Sequence, residues 1–292
     1  MITATLMTFR VQRPLGRFGH VAVNGTGRSH DRLLRRAWLT DGVIAVRVVG
    51  VYGIKGGVGK TSTAVNLAAL SAQSGKRTLL WDLDPQGAAA YLLQVKPKVK
   101  GGSLGLLTGD RELQDAVRET SIEHLDLLPA DETIRNADMA LDDTKRAERQ
   151  LNRMLKPVRD SYDVVFLDCP PGLTLLSENV FRAADVLLMP LIPTPLSIRT
   201  YDQLLSFLET LEDHRPRVHP FLSMVDGRKK VHAELHADLL RRTTSVLTAW
   251  IPASSAVERM AVHRVPLVIT EPRSPVAQAY RDLWHELSGL LT

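Results

Sequence analysis

Apolar residues fall along this chain in short dense runs that end in glycine, proline or aspartate, beginning with "VRVVGVYGI" from Val46. Such β-branched runs, polar only at their ends, predict strands buried on both faces. "RTLLWDLD", "YDVVFLDCPP", "ADVLLMPLIP", "HPFLSMVDG" and "SVLTAWIP" repeat the design, with helix-length segments between most of them. After the first run, "GKTSTAVNLAALSAQSG" sets Ala64, Val65, Ala68, Ala69 and Ala72 at helical spacing and closes on Gly75, a residue type that ends helices. Strands alternating with helices predict an α/β fold, a mostly parallel twisted sheet with helices on both faces. In such sheets ligands bind at the carboxyl ends of the strands, and the polar residues of interest sit there. The last segment, "SPVAQAYRDLWHELSGLL", aligns Val276, Tyr280, Leu283, Leu287 and Leu290 on one stripe. Its only basic side chain, Arg281, faces Asp282 and Glu286 in number, so it reads as a helix packed on its own domain rather than on a membrane.

Residues 1–45 break the pattern and form a separate basic N-terminal extension, expected to be disordered or the product of a start assigned too early. Only "SHDRLLRRAWL" within it has the look of a short basic helix. Charge sharpens the division. Residues 1–47 hold eight arginines against two aspartates, whereas the other 245 residues carry 29 basic and 30 acidic groups. The formal charge of +5 therefore describes the tail, not the body of residues 46–292, which reads as one domain. Cys169 is the only cysteine, so no disulfide framework exists, and a cytoplasmic setting is expected. No stretch has the roughly 18 uninterrupted apolar residues of a membrane span.

The chemistry begins at "GIKGGVGKTS". The phosphate-loop pattern G-x-x-x-x-G-K-[ST] ends here on Gly59, Lys60 and Thr61, but Ile54 occupies the place of the first glycine. What remains, from Lys55 through Gly56, Gly57, Val58 and Gly59 to Lys60, Thr61 and Ser62, lies between a strand and a helix, as the mechanism needs. Glycines let backbone N–H groups converge on phosphate oxygens, and the helix N-terminus adds positive dipole. Lys60 should reach the β- and γ-phosphates of a nucleotide, and the Thr61 hydroxyl should bind Mg²⁺. "DLDPQG" supplies Asp82 and Asp84, and Asp168 closes the run "VVFL". One of Asp82 and Asp84 could instead cap the turn formed with Pro85 and Gly87. Cys169 reads as a small buried residue and not a nucleophile. His232 and His236, four apart beside Glu234 and Asp238, read as a solvated helix face rather than a metal site.

"KGGVGKTSTAVNLA", "LLWDLDPQG", "YDVVFLDCPPGL", "MVDGR" and the closing "PRSPVAQAYRDLWHEL" resemble the ParA-type partition ATPases of the ParA/MinD superfamily, whose loop is the deviant Walker A motif. The resemblance runs from about Val46 to the C-terminus and implies a single P-loop NTPase domain that uses ATP and Mg²⁺. By it, Lys55 crosses a homodimer interface to touch the ATP sandwiched in the other subunit, Asp84 orients the attacking water, and Asp82 supports the Mg²⁺ shell. Asp168 becomes the Walker B carboxylate, and Pro170, Pro171 and Gly172 a second switch. Met224, Asp226 and Pro252 match segments flanking the adenine; Ala253 departs from the arginine the family often has there.

The same resemblance implies ATP-gated, non-specific DNA binding by C-terminal basic residues, for which Arg228, Lys229, Lys230, Arg241, Arg242, Arg264 and Arg273 are candidates. Residues 219–292 hold nine basic against seven acidic groups, so the electrostatic signal there is modest. It further implies slow ATP hydrolysis stimulated by a ParB-like activator protein, and a nucleoid-associated role in plasmid or chromosome segregation, or in placing another cargo. A nucleotide-dependent scaffold or regulator with little hydrolysis stays open as an alternative, as does a MinD-like ATPase of the membrane surface, which the last helix disfavours.

Overall fold

The run beginning at Val46 becomes the central part of one sheet in the computed structural model, which describes residues 46–97, 102–109, 111–144, 146–212 and 214–291. The expected extension over residues 1–45 lies outside the described residues. The strands are β1 (Arg47–Val51), β2 (Thr78–Asp82), β3 (Arg118–Glu119), β4 (Leu125–Leu128), β5 (Val164–Asp168), β6 (Val186–Leu191), β7 (Arg217–Val225) and β8 (Ile251–Pro252). They pair in the order β3-β4-β2-β5-β1-β6-β7-β8, and every neighbouring pair is parallel except β3 with β4.

Helices in chain order are α1 (Lys60–Gln73), α2 (Ala88–Leu92), α3 (Gly102–Leu107), α4 (Leu113–Ala116), α5 (Ala137–Asp142), α6 (Gln150–Leu155), α7 (Leu175–Ala183), α8 (Pro195–Glu209), α9 (Lys230–Arg242), α10 (Ser255–His263), α11 (Leu267–Thr270) and α12 (Pro275–Leu290). Side chains alternate across a strand, and each inner strand feeds two cores. Val48, Leu79, Trp81, Val165, Leu167 and Leu187 pack with α3 to α9 on one face. Val49, Val51, Leu80, Phe166 and Leu188 pack with α1, α2 and α10 to α12 on the other. This is why the runs are continuously apolar instead of alternating. Helix α1 is buried nearly all round because it lies between the sheet and α12. Of the stripe expected on α12, Val276, Tyr280, Leu283 and Leu287 are enclosed, and Leu290 is half-buried at the helix end. Among the described residues no helix is long and apolar enough to cross a membrane.

Two differences from the sequence reading have physical causes. "SVLTAWIP" is a regular strand only over Ile251–Pro252: Leu247 N–H still donates to the Pro220 carbonyl of β7 at 2.9 Å, but the N–H groups of Thr248 and Ala249 both donate to the Glu286 carboxylate at 2.8 Å. The two N–H groups that would have continued the ladder between Leu247 and Ile251 are spent on α12. Conversely β4 was not anticipated, since "LDLL" is a four-residue run between turns.

Gly50 shows how tightly the layers close. A Cβ built there would come within 2.6 Å of Leu187 Cδ2 and 3.0 Å of Val180 Cγ1, so α7 rests directly on the β1 backbone. Gly50→Ala is expected to destabilise the protein by about 1–3 kcal/mol through overpacking, read as a lower urea midpoint with an unchanged slope.

Candidate active site

The connection from β1 to α1 turns through Gly57 (φ 73°) and Gly59 (φ 93°), left-handed settings that suit glycine. Gly59 is the N-cap of α1 and brings no capping side chain, whereas Thr174, Thr194, Ser254 and Ser274 cap α7, α8, α10 and α12 with hydroxyls. A helix start leaves its first N–H groups unsatisfied. Here they open onto a cleft of about 680 Å³ lined by Gly56, Gly57, Gly59, Lys60, Thr61, Ser62, Asp84, Pro85, Gln86, Pro170, Pro171 and Met224. Backbone donors, a helix dipole and a lysine converging on one cleft make an anion site of phosphate type.

Lys60 is largely buried, and its Nζ donates to the Lys55 carbonyl at 3.2 Å. Burial lowers its pKa, while the charges of Asp168 and, more weakly, Asp84 oppose that fall. Val58 is buried between the two glycines, and Lys55 is exposed with no side-chain partner among the described residues.

Opposite the loop, the β2–β5 register sets Asp82 directly beside Asp168. Both carboxylates are fully buried. The Asp82 oxygens are used, accepting from Asp84 N–H at 3.0 Å and Ala89 N–H at 3.1 Å. Neither oxygen of Asp168 completes a hydrogen bond, although the Thr61 side chain is near enough to favour its ionised form. Burial, then the adjacent Asp82 charge, pushes Asp168 well above the usual carboxylate range; burial likewise raises Asp82. Two unpaired acceptors on a fully enclosed carboxylate are costly without a positive partner. They fit a hydrated divalent cation held between Asp168 and the Thr61 hydroxyl.

Asp84 lies one turn further on and is partly exposed in the cleft. Its carboxylate accepts from Gln86 N–H at 2.9 Å and its carbonyl from Gly87 N–H at 2.9 Å. The turn-capping role considered for one of these aspartates is thus filled by both, and Asp84 still faces the cleft. On the other wall, the Tyr52 hydroxyl, buried within the sheet, donates to the Gly172 carbonyl at 3.0 Å and pins the Pro170–Gly172 loop. Nothing in the sequence singled Tyr52 out, since an aromatic in an apolar run reads as core. Cys169 is buried, and burial with the Asp168 charge pushes its thiol well up, so it is no nucleophile.

The remaining candidates divide. Met224 reaches the cleft, but Asp226 and Pro252 are not among its walls; Pro252 lines a neighbouring hollow with Trp250 and Pro275. Asp226 is held down to about 2 by its bonds to Arg228. His232 corrects the solvated-face reading. It is buried, and its Nδ1 accepts from the Asp226 N–H at 3.0 Å; His236 also buries an unpartnered Nε2.

Among the basic candidates, Arg228 pairs with Asp226 at 3.0 Å, Lys230 with Glu234 at 3.6 Å, and Arg241 and Arg242 with Asp238 at 3.4 and 2.8 Å. Arg264 folds onto Tyr91. Lys229 and Arg273 are exposed and make no side-chain bond among the described residues.

Comparison with known proteins agrees with this architecture. A family model described as an AAA domain matches residues 46–222. The chain is 32% identical over 249 residues to the sporulation initiation inhibitor protein Soj of Bacillus subtilis, covering 83% of this chain and 98% of Soj. It is 30% identical over 261 residues to the chromosome partitioning protein ParA of Myxococcus xanthus, covering 86% and 90%. A solved structure of cobyrinic acid a,c-diamide synthase from Mycobacterium smegmatis, with bound ATP analogue and magnesium, shares 29% identity at a TM-score of 0.72, covering 83% of this chain and 94% of that one. With a glycine-rich loop entering an uncapped helix and two in-register aspartates facing it, the chain belongs to the ParA-type P-loop ATPases of the ParA/MinD superfamily.

Proposed function

We propose that this partition-family ATPase is an ATP-driven dimerisation switch that holds non-specific DNA while ATP-bound and lets it go after hydrolysis. The observation that carries the reading is the open N-terminus of α1 facing the unpartnered carboxylate of Asp168. Backbone N–H groups of residues 56–62 receive the phosphates, and Lys60 exchanges its bond to the Lys55 carbonyl for the β- and γ-phosphate oxygens. Thr61 and Asp168, with Asp82 behind them, hold Mg²⁺, which when bound supplies charge neutralisation between the phosphates. Asp84 orients the attacking water; its outward place beside Gln86 suits a group that meets water, while buried Asp82 is spent on backbone bonds. Met224 offers an apolar edge to the adenine, with Asp226 and Pro252 as supports on the segments that follow.

The second subunit supplies Lys55. The exposed position of that lysine favours this, and so does a set of apolar side chains around the same rim: Leu173, Leu196 and Met224 are 43%, 59% and 38% exposed. Each follows or ends a strand at the carboxyl edge. Apolar exposure flanking a polar cleft suits a face that closes on its own copy. DNA contacts are assigned first to Lys229 and Arg273, whose charges are uncommitted, and then to Arg228, Lys230, Arg241 and Arg242, which exchange a carboxylate for phosphate. Pairing two copies doubles a modest patch, which is how ATP would switch DNA affinity. A ParB-like activator then accelerates an otherwise slow turnover, and the protein works in the cytoplasm on the nucleoid.

Three results test this. Asp84→Ala should lower ATP turnover about 100-fold or more yet leave ATP-dependent dimers by light scattering; normal turnover would remove Asp84 from the chemistry. Lys55→Gln should keep nucleotide binding but weaken dimerisation and turnover together, and unchanged behaviour in both would end the cross-subunit role. Full-length protein with ATP and Mg²⁺ should bind random duplex DNA far better than with ADP. That affinity should fall about 100-fold between roughly 50 and 200 mM salt if some four phosphates are contacted; equal binding in both nucleotide states would show that dimerisation does not gate DNA.

A further inference from the structure

Arg264 does not point freely into solvent. It terminates α10 with φ at 54°, and Gln94, just past α2, sits at φ 56°. These left-handed settings disfavour residues other than glycine, asparagine and aspartate, and here the two side chains lock together. Arg264 Nε donates to the Tyr91 carbonyl at 3.1 Å, its guanidinium carbon lies 4.6 Å from the centre of the Tyr91 ring, and Gln94 Nε2 donates back to the Arg264 carbonyl at 3.0 Å. The Tyr91 ring, 51% exposed, packs beneath a guanidinium rather than inside the core.

From this lock a continuous line of bonds runs to the site. Tyr91 N–H donates to the Gly87 carbonyl at 3.2 Å, Gly87 N–H to the Asp84 carbonyl at 2.9 Å, and Asp84 N–H to the Asp82 carboxylate at 3.0 Å. On the other side α10 is tied to the phosphate-loop helix, since Asn66 Nδ2 lies 3.3 Å from Met260 Sδ, and the same Asn66 accepts from Val268 N–H of α11. Helix α2 is only five residues long, so its own ladder cannot hold the Asp84 turn rigidly.

We infer that Arg264 is a positioning residue for hydrolysis: by clamping Tyr91 it fixes the Asp84 turn relative to α1. It acts through α2 and makes no contact with phosphate of DNA or nucleotide. The inference rests on the reading of Asp84 as the residue that orients water. A water held a fraction of an ångström from its line of attack costs rate without costing affinity.

Arg264→Gly is the informative variant, because glycine suits the left-handed C-terminal position and should keep the fold while deleting the clamp. Expected are a melting temperature held or raised, a kcat for ATP lower by about threefold to tenfold, the size of one lost cation–π contact and hydrogen bond, and an unchanged KM for ATP. ATP-dependent DNA affinity should also be unchanged. Tyr91→Ala should reproduce the loss and Tyr91→Phe, which keeps the ring, should not. Wild-type kcat in both Arg264→Gly and Tyr91→Ala overturns the clamp. Weaker DNA binding at unchanged kcat also overturns it, by making Arg264 a phosphate contact. An Asp84→Ala protein measured alongside separates the two claims: if it turns over normally the reading of Asp84 fails and takes the clamp with it, and if it is inactive the Arg264 result judges the clamp alone.

Discussion

Parallel pairing of β2 with β5 places Asp82 and Asp168 opposite one another at the buried carboxyl edge of the sheet, and the rest of the site is arranged around that juxtaposition. Two enclosed carboxylates side by side repel each other and have lost water. One solution is internal: Asp82 takes two backbone N–H bonds, one from the Asp84 turn and one from the start of α2. The other is left open, because Asp168 has the Lys60 charge and the Thr61 side chain nearby but completes no hydrogen bond. A cation is the partner this arrangement lacks, and phosphates are the partner that the uncapped α1 lacks. The two deficits face each other across one cleft, so a magnesium–nucleotide complex answers both at once.

The supporting layer is mostly small and apolar for the same reason. Alanines along α1 let it lie flat on the sheet beneath α12, and Gly50 lets α7 approach β1 from the other face. Tyr52 is the exception in polarity, carrying a hydroxyl out of the core to hold Gly172. Of these contacts, the Tyr52 bond bears on the cleft most directly, since Pro170 and Pro171 of the loop it holds line the cleft.

Most of this was legible in the sequence because the relevant signals are local. Strand cores such as "VVFL" are apolar on both faces, and Gly57, Gly59, Lys60 and Thr61 are informative within a few residues of one another. What was illegible is long-range. "SVLTAWIP" looks like a strand until Glu286, 38 residues from Thr248, takes its N–H groups. His232 looks solvated until α9 turns it toward the Asp226 backbone. Arg264 looks like surface charge, and only the packing of α10 against α2 reveals Tyr91 beneath it. The segments expected to flank adenine illustrate the same limit: Met224 lies in β7 and Pro252 in β8, but only the first borders the cleft.

The sheet finishes on both sides in strands of two residues, Arg118–Glu119 at one margin and Ile251–Pro252 at the other. A margin that short presents few free ladder groups, and charge or proline on it discourages a foreign strand from docking there. Growth of the sheet by adding another molecule edge to edge, the route by which β-rich proteins run into fibrils, is therefore disfavoured at each side among the described residues. If copies of the protein meet through the strand-end face, as proposed above, that contact has no competing edge-to-edge route beside it.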